Sequence, residues 1–264
     1  MDNKKRVSKI LEDIKKVKIQ GARNIARAAL YAYSLEKTKE SKKKLMEARP
    51  TEPMLFNMLN KAEKIPYRQI LKHFDYAQDE INKNVFRIIK NNSIIFTHCH
   101  STNVVNALIY AKKHGKNFQV YNTETRPLFQ GRKTAKELRK SGIKVTEFID
   151  SAAAVAIEKA NLVFLGADAI LKKGVINKIG SGMFAEIAYD KKVPVYIIAD
   201  SWKYTNKNVP IENRNLNEVW DKAPKNIKIK NPAFEFIKQR YIKVIVSELG
   251  VLSYNDFLKK VGKI

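Results

Sequence analysis

SIIFTHCHSTNVVNALIYAKKHGKNFQVYNT, residues 93–123, decides the fold. Two short apolar runs, SIIFTH and FQVYN, bracket a helical segment that runs through Lys113. The same rhythm continues downstream. A helix from Thr134 to Lys140 precedes IKVTEFI, a helix at 151–159 precedes NLVFLGA, and a helix near 182–190 precedes PVYIIA; YIKVIVSE supplies a further strand. None of these runs alternates polar with apolar residues, so both faces of each strand are covered. Strands of that kind, spaced by helices, form a parallel sheet. The expected fold is α/β, with a Rossmann-like domain and a mostly parallel sheet over residues 91–264.

The first 90 residues read differently. VSKILEDIKKVKI places Val7, Ile10, Leu11, Ile14, Val17 and Ile19 close to helical spacing. Gly21 interrupts the pattern and ARNIARAALYAYSLE resumes it. Pro50, Pro53 and Pro66 divide shorter segments, and a helix is expected from Tyr67 to Lys90 with Ile70, Phe74, Ala77, Ile81, Val85 and Ile88 on one face. Residues 1–90 are therefore expected to form an N-terminal helical domain.

The 264 residues are enough for a sizeable core, and 44% hydrophobic with 29% charged residues describes a globular chain. No apolar run reaches the roughly 20 residues of a membrane span. The opening MDNKKRVSKILEDIKK has neither the apolar stretch of a secretory signal nor the acid-poor composition of a transit peptide, so a cytoplasmic location is expected. A single cysteine excludes an intramolecular disulfide. The net charge of +25 admits three readings: a lysine-rich solvated surface, a field that steers a phosphorylated substrate, or weak nucleic-acid binding. The basic residues are scattered, SKKKL at 41–45 being the one conspicuous run, and no zinc-finger, basic-zipper or RNA-binding signature is present.

Ligands of open parallel sheets bind beyond the carboxyl ends of the strands. That rule selects Thr97–Asn103, Asn122–Gly131, Asp150–Ser151, Gly166–Asp168 and Asp200–Tyr204. Cys99 lies in the first of these, between His98 and His100. Neighbours on a strand face opposite ways, so the two imidazoles do not join the thiol around a metal, and no metal is expected. Two readings remain. One is a small buried hydrophobe. The other is a thiol at a helix N-terminus, where the dipole favours a thiolate suited to act as a base. Asp168, in GADAI, either caps the following turn or holds a proton near neutrality because the apolar surroundings raise its pKa. TETRPLFQGRK (123–133) offers Arg126 as an anion ligand or as the partner of Glu124. QGARN, EARPTEP, INKIGSG and ADSWKY add cations or exposed N–H groups suited to phosphate. There is no Walker motif and no G-x-G-x-x-G, so no nucleotide cofactor is expected.

THCHST, NTETRPLFQGRKTAKEL, LGADAILKKGVINKIG and YIIADSWKY, in this order, resemble the superfamily that contains archaeal ribose-1,5-bisphosphate isomerase, methylthioribose-1-phosphate isomerase and the regulatory subunits of eukaryotic initiation factor 2B. The resemblance covers most of 91–264 and extends to QGARN and ARPTEP. It implies that Cys99 is the proton acceptor and Asp168 the proton donor, a pair that the initiation-factor subunits lack. It also implies substrate binding by Gln20, Gly21, Ala22 and Arg23, by Arg49, by Ser101, Thr102 and Asn103, and by Asn177, Lys178 and Lys203, with Arg126 added from the loop reading. INKIG and ADSWKY are closer to the ribose-bisphosphate branch. The implied activity is isomerisation of ribose 1,5-bisphosphate to ribulose 1,5-bisphosphate in AMP and nucleoside degradation, with methylthioribose-1-phosphate isomerisation and a non-catalytic regulatory subunit as alternatives. Implied partners are a phosphorylated sugar, a second copy of the chain in a dimer or hexamer, and AMP as an activator; no cofactor is implied. Two positions depart from the family: Gln20 stands where arginine is frequent, and Thr102 where a basic residue is. The region between Arg49 and Cys99 is shorter than in relatives.

Overall fold

The computed structural model describes residues 2–263. Five helices come first: α1 (Asn3–Lys15), α2 (Ala22–Leu35), α3 (Lys39–Ala48), α4 (Pro53–Lys61) and α5 (Tyr67–Ile88). Local chemistry sets their ends. Gly21 holds φ 85°, a left-handed value that a side chain would resist, and lets the chain turn into α2. Thr38 accepts the Ser41 amide and starts α3. Pro53 occupies the first turn of α4, where its missing N–H is no loss. The apolar faces of these helices close on one core containing Ile14, Ile25, Leu30, Leu45, Leu55 and Phe74, into which Trp202 is inserted from the other half of the chain. Helix α5 serves two cores. Ile70 and Phe74 face the helical one, while Ile81 and Val85 pack with Val104, Leu108 and Val120 under the sheet.

From residue 93 the chain alternates as its apolar runs require. The elements are β1 (Ser93–His98), α6 (Thr102–Lys113), β2 (Phe118–Thr123), α7 (Gln130–Lys140), β3 (Lys144–Phe148), α8 (Ala153–Glu158) and β4 (Leu162–Leu165). They are followed by β5 (Ala169–Ile170), β6 (Gly174–Lys178), α9 (Ser181–Asp190), β7 (Val195–Ile198), β8 (Phe234–Lys238), β9 (Val244–Ser247), β10 (Gly250–Leu252) and α10 (Tyr254–Val261). Seven strands form one sheet in the order β10-β9-β7-β4-β1-β2-β3. All pairs are parallel except β10 on β9. Growth of the sheet reverses between β1 and β4, and the crevice at that reversal is where open α/β sheets take their ligands. The fold is thus α/β, a helical N-terminal region on a mostly parallel sheet.

Sequence periodicity does not find the second sheet, β5-β6-β8, which is antiparallel and projects beyond β4. Strand β5 has two residues. Strand β6 ends in Asn177 and Lys178, both buried, so its polar residues imitate a loop. Strand β10 and helix α10 are likewise absent from the sequence reading. The small sheet matters because it carries Asn177 and Lys178 to the crevice.

Candidate active site

Cys99 follows β1 with φ 65°. A non-glycine residue in that region stores on the order of 1–3 kcal/mol, held only where surrounding structure enforces it. Here the Cys99 amide donates to Thr125 Oγ1 at 2.9 Å, and its carbonyl accepts from Thr134 Oγ1 at 2.8 Å. The turn is thereby clamped between the β2–α7 loop and α7. His98 is buried as the last residue of β1; its Nε2 donates to the Ile179 carbonyl at 2.9 Å, and Nδ1 accepts from Thr123 Oγ1 at 2.5 Å. Burial lowers its pKa to about 4, so the ring is neutral and serves as a strut. His100 contacts Thr134 Oγ1 at 3.0 Å; burial and then Lys133 lower its pKa.

Asp168 follows β4, across the crevice from Cys99. Gly166 makes the approach possible: a Cβ there would lie 2.6 Å from Ser101 Oγ, so any side chain would push the two loops apart. Lys203, 6% exposed, donates from the turn after β7 to the Ala167 carbonyl at 2.6 Å and approaches Asn103 Oδ1 at 3.4 Å. Asn103 is fixed in turn by Gln78 of α5. Asn177 Nδ2 donates to Ser181 Oγ at 2.9 Å. From the helical half, the Gly21 turn brings Gln20–Arg23 to the rim. Arg49 is buried and paired with Glu212 at 2.9 Å. Arg23 pairs with Asp75 at 2.7 Å.

Gln20, Gly21, Ala22, Arg23, Arg49, Cys99, Ser101, Thr102, Asn103, Asp168, Asn177, Lys178 and Lys203 all line one cavity. Arg126 does not. Its amide donates to Asp150 Oδ2 at 2.6 Å, and its guanidinium turns outward to the Val219 carbonyl at 3.0 Å. Nor is it the partner of Glu124, which pairs with Arg132 at 2.6 Å. Gln130 and Lys133 of the same segment reach the cavity instead. Two lining residues that the motifs did not single out are Glu52 and Arg214. Glu52 resembles an ordinary helix-start acid, and Arg214 sits in a polar loop with no motif.

The electrostatics correct the thiolate expectation. Burial pushes the Cys99 thiol up to about 12, and Lys178 is the largest opposing influence. Helix α6 starts at Thr102, beyond the cysteine, and its dipole does not overcome desolvation. In the free protein the thiol carries its proton. Burial also raises the Asp168 carboxyl, against Lys203, Arg49 and Lys178. A protonated thiol and a carboxyl of raised pKa, at adjacent strand ends, thus face a cavity rimmed by lysine and arginine. Such a site suits an anionic molecule and acid–base chemistry. No helix among the described residues is long and apolar enough to cross a membrane.

Known proteins share this architecture. The initiation factor 2 subunit family matches residues 7–254. A ribose 1,5-bisphosphate isomerase of Thermococcus kodakarensis is 33% identical, over 94% of this chain and 91% of the relative. A methylthioribose-1-phosphate isomerase of Thermosipho melanesiensis is 31% identical, over 94% of this chain and 87% of the relative. The solved translation initiation factor eIF-2B of Pyrococcus horikoshii OT3 superimposes with a TM-score of 0.83 at 26% identity, covering 94% of this chain and 97% of that one. With a match that runs from within α1 to the start of α10 and a site at the switch point of the sheet, the chain belongs to the initiation factor 2 subunit family.

Proposed function

We propose that this protein is an aldose–ketose isomerase that converts ribose 1,5-bisphosphate to ribulose 1,5-bisphosphate. The observation that carries the reading is the cavity itself, with Cys99 and Asp168 at neighbouring strand ends and Arg23, Arg49, Lys178 and Lys203 around them. Its identity to a named ribose 1,5-bisphosphate isomerase over nearly the full length of both chains supports the same chemistry.

A phosphate on C1 blocks the ring opening that a free sugar would use, so the ring oxygen must leave C1 as C2 loses its proton. Asp168, protonated, delivers its proton to the ring oxygen. Cys99 takes the C2 proton, and an enol phosphate results. The thiol then returns that proton to C1, the C2 hydroxyl gives its own to Asp168, and the ketone forms. Because the thiol is protonated in the free protein, its proton must leave before turnover. Lys178, the cation that most favours its ionised form, stabilises the thiolate while it acts. Proton transfer by positioned groups supplies ~10²–10⁴-fold. The cations hold the two phosphates and fix C2 between thiol and carboxyl. Arg23, Lys133 and Arg214 supply positive charge at the cavity despite Gln20 and Thr102.

Product analysis with ribose 1,5-bisphosphate and with methylthioribose 1-phosphate, each with and without AMP, tests the reading. Ribulose 1,5-bisphosphate from the first substrate alone is expected, at a higher rate with AMP. Turnover of the second alone moves the protein to the methylthioribose branch. No turnover of either, with capture of a translation factor, makes it a regulatory subunit. Sedimentation of the same preparation tests the homo-oligomer, a dimer or hexamer, that belongs to this reading.

A further inference from the structure

We infer that Gln78, on α5 and outside the cavity, is a positioning residue of the site: it fixes which end of the Asn103 side-chain amide faces Lys203, and so holds that lysine where it works. The inference rests on the proposed reaction only in taking Lys203 as a cation that serves the substrate.

Gln78 interrupts an apolar stripe. Phe74, Ile81 and Val85 lie on the buried face of α5, and Gln78 is buried on that same face, where helical spacing calls for a hydrophobe. A buried carboxamide needs partners, and this one has three. Its Nε2 donates to Asn82 Oδ1 at 2.8 Å and to the Asn103 carbonyl at 3.3 Å. Its Oε1 accepts from Asn103 Nδ2 at 3.0 Å. Asn103, in the first turn of α6, then turns its Oδ1 to Lys203 Nζ at 3.4 Å. The same ammonium donates to the Ala167 carbonyl at 2.6 Å, one residue before Asp168. Asn103 and Lys203 are buried as well, and both line the cavity.

The two ends of this chain are chemically fixed. The Asn103 carbonyl can only accept, and the Lys203 ammonium can only donate. Each amide between them therefore has one tolerable orientation. Reversing Gln78 sets its oxygen against a carbonyl. Reversing Asn103 sets its NH2 group against the ammonium. Gln78 settles both, because its oxygen is the acceptor that keeps Asn103 Nδ2 turned away from the lysine. Without that acceptor nothing distinguishes the two ends of Asn103 except Lys203 itself, through the longest contact of the chain. A reversed Asn103 turns that contact into repulsion and leaves Lys203 with the Ala167 carbonyl alone. In the ordered chain two of the three lysine N–H groups are used, and the third is left for the cavity.

The test uses the full chain with Q78M and Q78E. Methionine keeps the length, the volume and a good helix propensity but offers no strong acceptor. Glutamate keeps the acceptor in either protonation state, yet buries a carboxyl and costs more stability. If Gln78 only packs α5 on α6, activity follows stability and Q78M is the better enzyme. The relay requires the reverse order. With ribose 1,5-bisphosphate, Q78M should lose about tenfold in kcat/KM, the worth of one hydrogen bond to a charged group, and Q78E should stay within about threefold of the wild type while melting below Q78M. Q78M at the wild-type rate, or Q78E no more active than Q78M, overturns the inference. If the wild type does not turn over this substrate, the proposed function fails, and nuclear magnetic resonance of protein labelled at the lysine Cε carbons decides the relay. The Lys203 signal, identified by its loss in K203R, should move in Q78M and keep its place in Q78E; a signal unmoved in Q78M, or moved alike in both, overturns it. If Q78M does not fold, the wild type decides. The Asn103 side-chain amide, identified by its loss in N103D, should exchange its protons far more slowly than exposed asparagines do, and fast exchange overturns the relay.

Discussion

Two clusters of ionisable side chains lie where the helical half meets the sheet, and they are built on opposite principles. In the first, His73 of α5 meets Asp200 at 3.2 Å, the Trp202 amide donates to the same oxygen at 2.8 Å, and Ser201 donates through both its amide and its hydroxyl to Glu248. His73 also stacks on Trp202 with centroids 3.6 Å apart. Among the described residues these are the groups close enough together to resemble a metal site, yet Asp200 Oδ1 and both Glu248 oxygens are already engaged. In the second, Arg49 Nε and Glu52 Oε2 are buried without partners among the described residues, in the cavity that Asp168 and Lys203 also line. The same residue types make a closed lock in one place and an open socket in the other. Hydrogen-bond satisfaction, rather than charge or burial, tells docking from binding.

The largest effects should come from the socket. C99S and D168N should each lower turnover by ~10²–10⁴-fold, with substrate still protecting the protein against heat. Either variant at near-wild-type rate would remove the pair from the chemistry and leave Cys99 a buried hydrophobe. R49M should act on two levels. It leaves Glu212 with only the longer contact to Arg214 at 3.8 Å, at about 1–3 kcal/mol of stability, and it removes a phosphate-facing cation, raising KM more than kcat falls. A variant that is destabilised but binds substrate normally would make the Arg49–Glu212 pair part of the lock rather than the socket.

How much of this was legible beforehand follows the same division. The strand ends carrying Cys99 and Asp168 could be located because apolar runs mark the strands and ligands gather beyond their carboxyl ends. The glycine-led turn at Gln20–Arg23 was legible because a glycine that interrupts a helical pattern marks a helix start with free N–H groups. Arg126 misled because its motif says only that a loop is cationic; that Asp150 would pin its backbone and turn the guanidinium outward is a tertiary fact. Glu52 was invisible because an acid beside Pro53 at a helix start is what capping chemistry would place there. Its burial in the cavity that Asp168 also lines, from over a hundred residues away, is a tertiary fact. The strand holding Lys178 was hidden because a buried lysine breaks the apolar pattern by which strands are recognised. The thiol's protonation was misread because a dipole argument can be made from the sequence, whereas desolvation is set by the packed cavity.

The smallest expected effect separates lock from socket. H73A removes a stacked ring and one hydrogen-bond partner of Asp200. The Asp200 carboxylate keeps the Trp202 amide, so it is not orphaned, and water can reach the vacated edge because the His73 side chain is 17% exposed. The loss should therefore be about 1–2 kcal/mol in a denaturant melt, the range of a hydrogen bond plus an aromatic contact. Turnover and KM should stay within about twofold, because Lys203 is held separately by the Ala167 carbonyl and Asn103. If H73A instead lost activity as C99S does while melting normally, the two clusters would be one functional unit, and satisfied hydrogen bonds would no longer mark the boundary between them.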